Sequence, residues 1–145
     1  MRAASLGLQA VRDGRELTVV TSADIPPHAR GVMHAIRTLP TLNAVALLDG
    51  MAALESSPDV MSLEAVANMA AQEAQRLSLV LLVVGSATPV ARLRRAAATF
   101  PADVTVIAVR CDPTSEPSMR TARELRVITI GVLNDLGHLL LRSTI

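Results

Sequence analysis

The chain is almost without aromatic residues: Phe100 stands alone among 145 positions, with no tryptophan and no tyrosine. A core must therefore be packed from Val, Leu, Ile, Ala and Met. The platforms on which proteins stack single-stranded RNA bases are missing. Lysine is absent as well, so all positive charge is arginine, and the formal net charge is +1. That balance gives no electrostatic case for nucleic acid or an anionic membrane surface. The single cysteine, Cys111, excludes an internal disulfide and a cysteine-built zinc site. It suits a reducing compartment, and a cytoplasmic location is expected. Long apolar runs are missing too. The longest, residues 79–84, falls far short of the ~20 needed to span a bilayer, so no membrane span is expected. The opening "MRAASLGLQAVRDGRE" is interrupted by Gln9 and Arg12 and does not read as a signal peptide.

What is present is an α/β pattern on a chain of one-domain length, 1–145. Residues 3–11 carry helical spacing, with Leu6, Ala10 and Val11 on one face and Asp13-Gly14 as the stop. The β-branched run 16–21, "ELTVVT", reads as a buried strand. Pro26-Pro27 makes a loop, and 32–39 reads as a short or edge strand. Thr41 can cap a helix reaching residue 54 whose apolar face is Leu42, Val45, Leu48 and Met51. Ser62 caps the clearest helix, with Leu63, Val66, Met69 and Ala70 on its face. Strands are predicted at 79–84, 104–109 and 127–130. Helices are predicted at 89–99, at 119–125 behind Ser118, and from Asn134 or Asp135 to 141. Strand and helix thus alternate through the second half, which implies parallel strands joined by right-handed crossovers.

The stretch "LVLLVVGSATPVARLRRAAATFPADVTVIAVRCDPTSEPSMRTARELRVITIGVLNDLGHLL" resembles the end of a von Willebrand factor A-like domain. More narrowly it is similar to the bacterial family called domain of unknown function fifty-eight. The matching features are a strand ending in a small-residue loop, "VRCDP" with "EP" soon after, and "VITIGVLNDL" before a last helix. Upstream, "AASLGLQAVRDGRELTVVT" resembles that family's first helix and second strand. The resemblance implies a Rossmann-like three-layer sandwich with a mostly parallel sheet. It also implies a working association with MoxR-type AAA+ ATPases.

The departures from that pattern shape the functional expectation. An A-like domain begins with a central strand carrying D-x-S-x-S, and that motif is absent. A later aspartate belongs at the end of strand 79–84, where this chain has Gly85-Ser86. Thr38 or Thr41 would be the remaining threonine. Magnesium sites are usually built with one or two carboxylates, so no functional metal site is expected. A chain starting after the central strand is expected to be a truncated or degenerate A-like domain. Strands 16–21 and 79–84 would then either pair directly or each expose an unpaired edge. Such an edge recruits a second copy or a partner's strand.

Five features could carry chemistry. In "GSATP", Ser86, Thr88 and a helix N-terminus could cradle a phosphate, aided by Arg92, Arg94 and Arg95. The plainer reading is a turn at Gly85, an N-cap at Thr88 and Pro89 in the first helical position, and it is favoured because no phosphate-loop pattern is present. Asp24, near Thr21 and Ser22, could face a ligand crevice but fits a capped surface loop better. Cys111 beside Asp112 lacks a neighbouring base. His28, His34 and His138 have no metal-ligand spacing, and His138 reads as a helix-surface residue. Arg92, Arg94 and Arg95, with Arg120, Arg123 and Arg126, make two basic patches on consecutive helices, either solvated faces or contacts for an acidic partner.

No catalytic set or cofactor fingerprint is present. The expected function is a non-enzymatic interaction or scaffold module working with an AAA+ ATPase. The rival is a small-ligand or nucleotide-binding protein using Ser86, Thr88, Asp24 and Asp112.

Overall fold

A computed structural model describes residues 2–22, 36–55, 60–73, 76–132 and 134–143. Its contacts divide the chain into two compact units, Met1–Ala70 and Ala71–Ile145.

In the first unit, helix α1 (Arg2–Arg12) ends as the Asp13-Gly14 signal predicts. Gly14 takes φ +66°, its N–H donates to Val11 O, and the Arg15 N–H donates to Ala10 O. That pair of bonds is a Schellman close, and the left-handed φ is the reason for glycine. Strands β1 (Val19–Ser22) and β2 (Ile36–Leu39) pair antiparallel, Val19 opposite Leu39. Strand β1 starts later than residue 16, and residues 32–35 of the expected second strand lie outside the described residues, as does the Pro26-Pro27 loop.

Helix α2 (Ala44–Ala52) differs from expectation in its cap and in its orientation. Asn43, not Thr41, caps it, its side-chain oxygen accepting from Ala46 N at 2.9 Å. Leu42 (93% exposed), Val45 (69%) and Leu48 (41%), expected in the core, face solvent, and the buried residues are Leu47 and Gly50. The sequence AVALLDGMA is apolar nearly all round, so spacing alone does not choose a face. Close approach does. A Cβ on Gly7 would lie 2.9 Å from Leu47 Cδ2, and one on Gly50 would lie 3.1 Å from Pro40 Cδ. Helix α3 (Leu63–Glu73) is capped as predicted by Ser62, whose Oγ accepts from Ala65 N, and it buries Ala67.

The second unit is built on a four-stranded, mostly parallel sheet in the order β3-β4-β6-β5. Strand β3 (Leu79–Gly85) pairs parallel with β4 (Thr105–Cys111), and β4 pairs parallel with β6 (Leu125–Ile130). Helix α4 (Val90–Ala97) links β3 to β4, and α5 (Asn134–Ser143) follows β6. Both helices pack against β6. Burial reaches both faces of the inner strands: Ile107, Ala108 and Val109 on β4, and Leu125, Val127, Ile128 and Ile130 on β6. Leu93 and Ala96 of α4 and Leu136 and Leu139 of α5 complete this core. The second unit is thus α/β, with α4 and α5 packed on a mostly parallel sheet as in a Rossmann-like sandwich.

The helix expected at 119–125 is instead a hairpin. Strand β5 (Ser118–Ala122) turns at Arg123-Glu124 and pairs antiparallel with β6, Ser118 opposite Thr129 and Ala122 opposite Leu125. This explains how β4 and β6 run parallel without a helix between them: β5 carries the chain back down the sheet. Pairing with a buried strand overrides the helical propensity of Met119, Arg120, Arg123 and Glu124. Arg123 takes φ +59° at the turn, a conformation better suited to glycine. Among the described residues, no helix is long and apolar enough to cross a membrane.

Candidate interaction edge and strand-end loops

The loops after β3, β4 and β6 gather at the carboxyl end of the parallel strands, where ligands of open α/β sheets usually sit. Gly85 needs neither a positive φ nor extra space, since nothing lies within 4 Å of an added Cβ. The turn expected at Gly85 is present, closed by Thr88 N donating to Gly85 O at 3.4 Å. Pro89, not Thr88, occupies the N-cap of α4, and it makes no side-chain cap bond. Arg110, opposite Val84 in the ladder, reaches over this loop. Its Nη2 and Nε both donate to Ser86 O, at 2.6 and 3.2 Å. This bond, which spacing did not reveal, ties the Ser86 loop to β4.

Asp112 organises the loop after β4. Its Oδ1 accepts from Thr114 N and Oγ1, and its Oδ2 accepts from Ser115 Oγ. The Ser115 hydroxyl first, then the Thr114 hydroxyl and amide, hold its carboxyl at about 2, below the ordinary 3.8. Asp112 N donates to Ile130 O, and Asp135 Oδ2 accepts from Val132 N, so the two loops are braced from within. These carboxylates serve their own turns. Cys111 is a free, half-buried residue closing β4. Among the described residues, no group of three His, Cys, Asp or Glu side chains is placed to hold a metal ion.

The other candidates are dispersed. Thr41 lies in the first unit, where its Oγ1 donates to Leu17 O at 3.0 Å. Thr38 pairs opposite Val20 in the two-stranded sheet. Ser22 Oγ accepts from Met61 N. Asp24, His28 and His34 lie outside the described residues, and His138 is exposed on α5. Arg94 and Arg95 occupy the last turn of α4, where positive charge complements the helix dipole. Arg92 and Arg95 already have partners within the fold. The second basic patch is not helical. Arg120 sits on β5, Arg123 at the turn and Arg126 on β6, and the register places Arg120 opposite Val127 but Arg126 opposite Thr121. Arg120 and Arg126 therefore point to opposite sheet faces. A shallow hollow lined by Arg76, Leu77, Phe100 and Asp103 lies at the other end of the strands, away from these loops.

The feature that stands out is an edge. Strands 16–21 and 79–84 were expected to pair or to be left exposed; among the described residues, β1 pairs with β2 and not with β3. Strand β3 has β4 on one side and, among the described residues, no strand on the other. Which groups are left over follows from alternation. Thr105 N donates to Ser78 O, so Ser78, Val80, Leu82 and Val84 direct their N–H and C=O toward β4. The N–H and C=O groups of Leu79, Leu81 and Val83 therefore point away from the sheet. Leu79 is 51% exposed, and only Leu82 of this strand is buried. The edge is seven residues long and carries no charge and no proline. Natural proteins usually blunt such edges with one or the other.

No protein-family model matches the chain, and no curated protein or solved structure is significantly similar to it.

Proposed function

We propose that this chain is a non-enzymatic interaction module that accepts an extended segment along the free edge of β3. The carrying observation is that row of outward backbone groups on an uncharged, seven-residue strand. Strand addition draws its affinity from main-chain hydrogen bonds and its selectivity from alternate side chains, and β3 offers both. The strand-end loops support this reading from the other side, because Asp112, Arg110 and Asp135 make internal bonds. The resemblance to the A-like family places an AAA+ ATPase foremost among partners, in the assembly or remodelling of another complex.

The test is binding of a labelled peptide carrying the β3 sequence, with lysines appended at both ends for solubility. The expected result is saturable binding that Val83→Pro abolishes. Proline there removes an outward N–H while leaving the β4 ladder intact. Failure to bind, or equal binding by the Val83→Pro variant, contradicts the proposal.

A further inference from the structure

The occupant of this edge can be narrowed, resting on the reading just given. We infer that β3 pairs with β3 of a second copy of the chain, antiparallel about a two-fold axis through Leu82, joining two four-stranded sheets into one.

Three observations carry this. The first is hydrogen-bond phase. Centred on Leu82, the pairing sets Leu79 against Gly85 and Leu81 against Val83 of the other copy. Leu79, Leu81 and Val83 point their N–H and C=O outward, so the Leu81–Val83 pairs on the two sides of the axis can each exchange both bonds, while at Gly85 the C=O already accepts from Thr88 N. Leu82 faces its own counterpart at the axis, where its backbone groups are already engaged with β4. The second is side-chain chemistry. Val80 meets Val84 and Leu81 meets Val83, aliphatic pairs of the kind that stabilise neighbouring strands. A segment suited to this edge must itself be apolar, and β3 is the longest uninterrupted apolar run in the chain. The third is charge. A two-fold interface places a patch against itself, so a single charged residue near the axis would meet its own like charge. Strand β3 has none. The other edge of the sheet fails this condition, since β5 carries Arg120 at its centre.

Sedimentation equilibrium of the full chain over a wide concentration range is the test, run beside Val83→Pro and Leu81→Lys. The expected result is a reversible dimer of about twice 15.3 kDa. Val83→Pro removes a ladder donor from each copy, and Leu81→Lys brings like charges near the axis. Each weakens the dimer roughly tenfold or more while the far-ultraviolet spectrum of the chain stays the same. A dimer unaffected by both variants overturns the inference. So does a wild-type chain that is monomeric throughout. If that monomer still binds the β3 peptide, the strand-accepting reading stands and self-pairing alone fails; if it does not, both fail. Should either variant misfold, the wild-type amides decide: Leu81 and Val83 must exchange more slowly as concentration rises, and concentration-independent exchange overturns the inference.

Discussion

The two edges of the four-stranded sheet solve the same problem in opposite ways. Strand β5 is five residues long, polar and mostly exposed, with Arg120 at its centre and Arg123 at the turn beyond it. A neighbouring strand laid along it would have to bury a guanidinium. Strand β3 is longer, wholly apolar and unguarded. Both edges belong to one sheet and each flanks an inner strand with buried residues. An unguarded edge costs solubility unless something covers it, and a polar edge costs nothing. The asymmetry therefore points to use of β3.

The comparison can be broken or sharpened by measurement. The largest effect is expected in the inner strands that both edges flank. Ile128→Ala, at a fully buried site, should destabilise the chain by roughly 2–5 kcal/mol. Met119→Ala on the exposed edge opposite it should cost less than about 1 kcal/mol by chemical denaturation. Equal costs would mean that β5 is as much a core strand as β6. A smaller effect is expected from removing the guard. Arg120→Val should leave stability within about 0.5 kcal/mol of wild type. It should also add association beyond a dimer at high concentration, measured by light scattering, because both edges would then be open. A variant that stays at the wild-type stoichiometry would show that arginine is not what protects β5.

The smallest effect concerns the loop after β4. The Asp112 carboxyl should titrate with a midpoint near 2, followed by carbon-detected magnetic resonance. Its folded value lies below the ordinary 3.8, so the bonds from Ser115 and Thr114 support the fold fully above that value. They are lost as pH falls through about 2. Ser115→Ala should move the midpoint upward. A midpoint that stays put would mean that Ser115 does not hold the carboxylate.

The sequence was most legible where one local signal decides one local structure. Gly14 ends α1, Ser62 caps α3, and the apolar runs of β3, β4 and β6 are strands because nothing else buries them so economically. It was least legible where neighbours decide. Residues 119–125 favour a helix taken alone, but β6 needs a partner along its second side, and no window on those residues contains that information. The β-rich run 125–130, LRVITI, begins immediately after the turn and was the available hint of a strand there. Helix α2 shows the converse failure. Its apolar spacing fits two faces, and the face is chosen by Gly7 and Pro40, which both lie outside the helix. The edge of β3 was legible only as one of two alternatives, because strand 79–84 was expected either to pair with strand 16–21 or to be left with an open edge. Which backbone groups face outward was not legible, since that phase depends on the register with β4. Arg110 was likewise passed over, because its bond to Ser86 joins positions 24 residues apart.

The most direct test of β3 as the docking element is residue-resolved amide exchange of the wild-type chain at low and high concentration. On β3 the outward amides are Leu81 and Val83. On β5, which bonds to β6 through Ser118, Arg120 and Ala122, the outward ones are Met119 and Thr121. The account predicts that Leu81 and Val83 become protected as concentration rises while Met119 and Thr121 stay fast. Protection of the β5 pair instead, or no change on either edge, would contradict it.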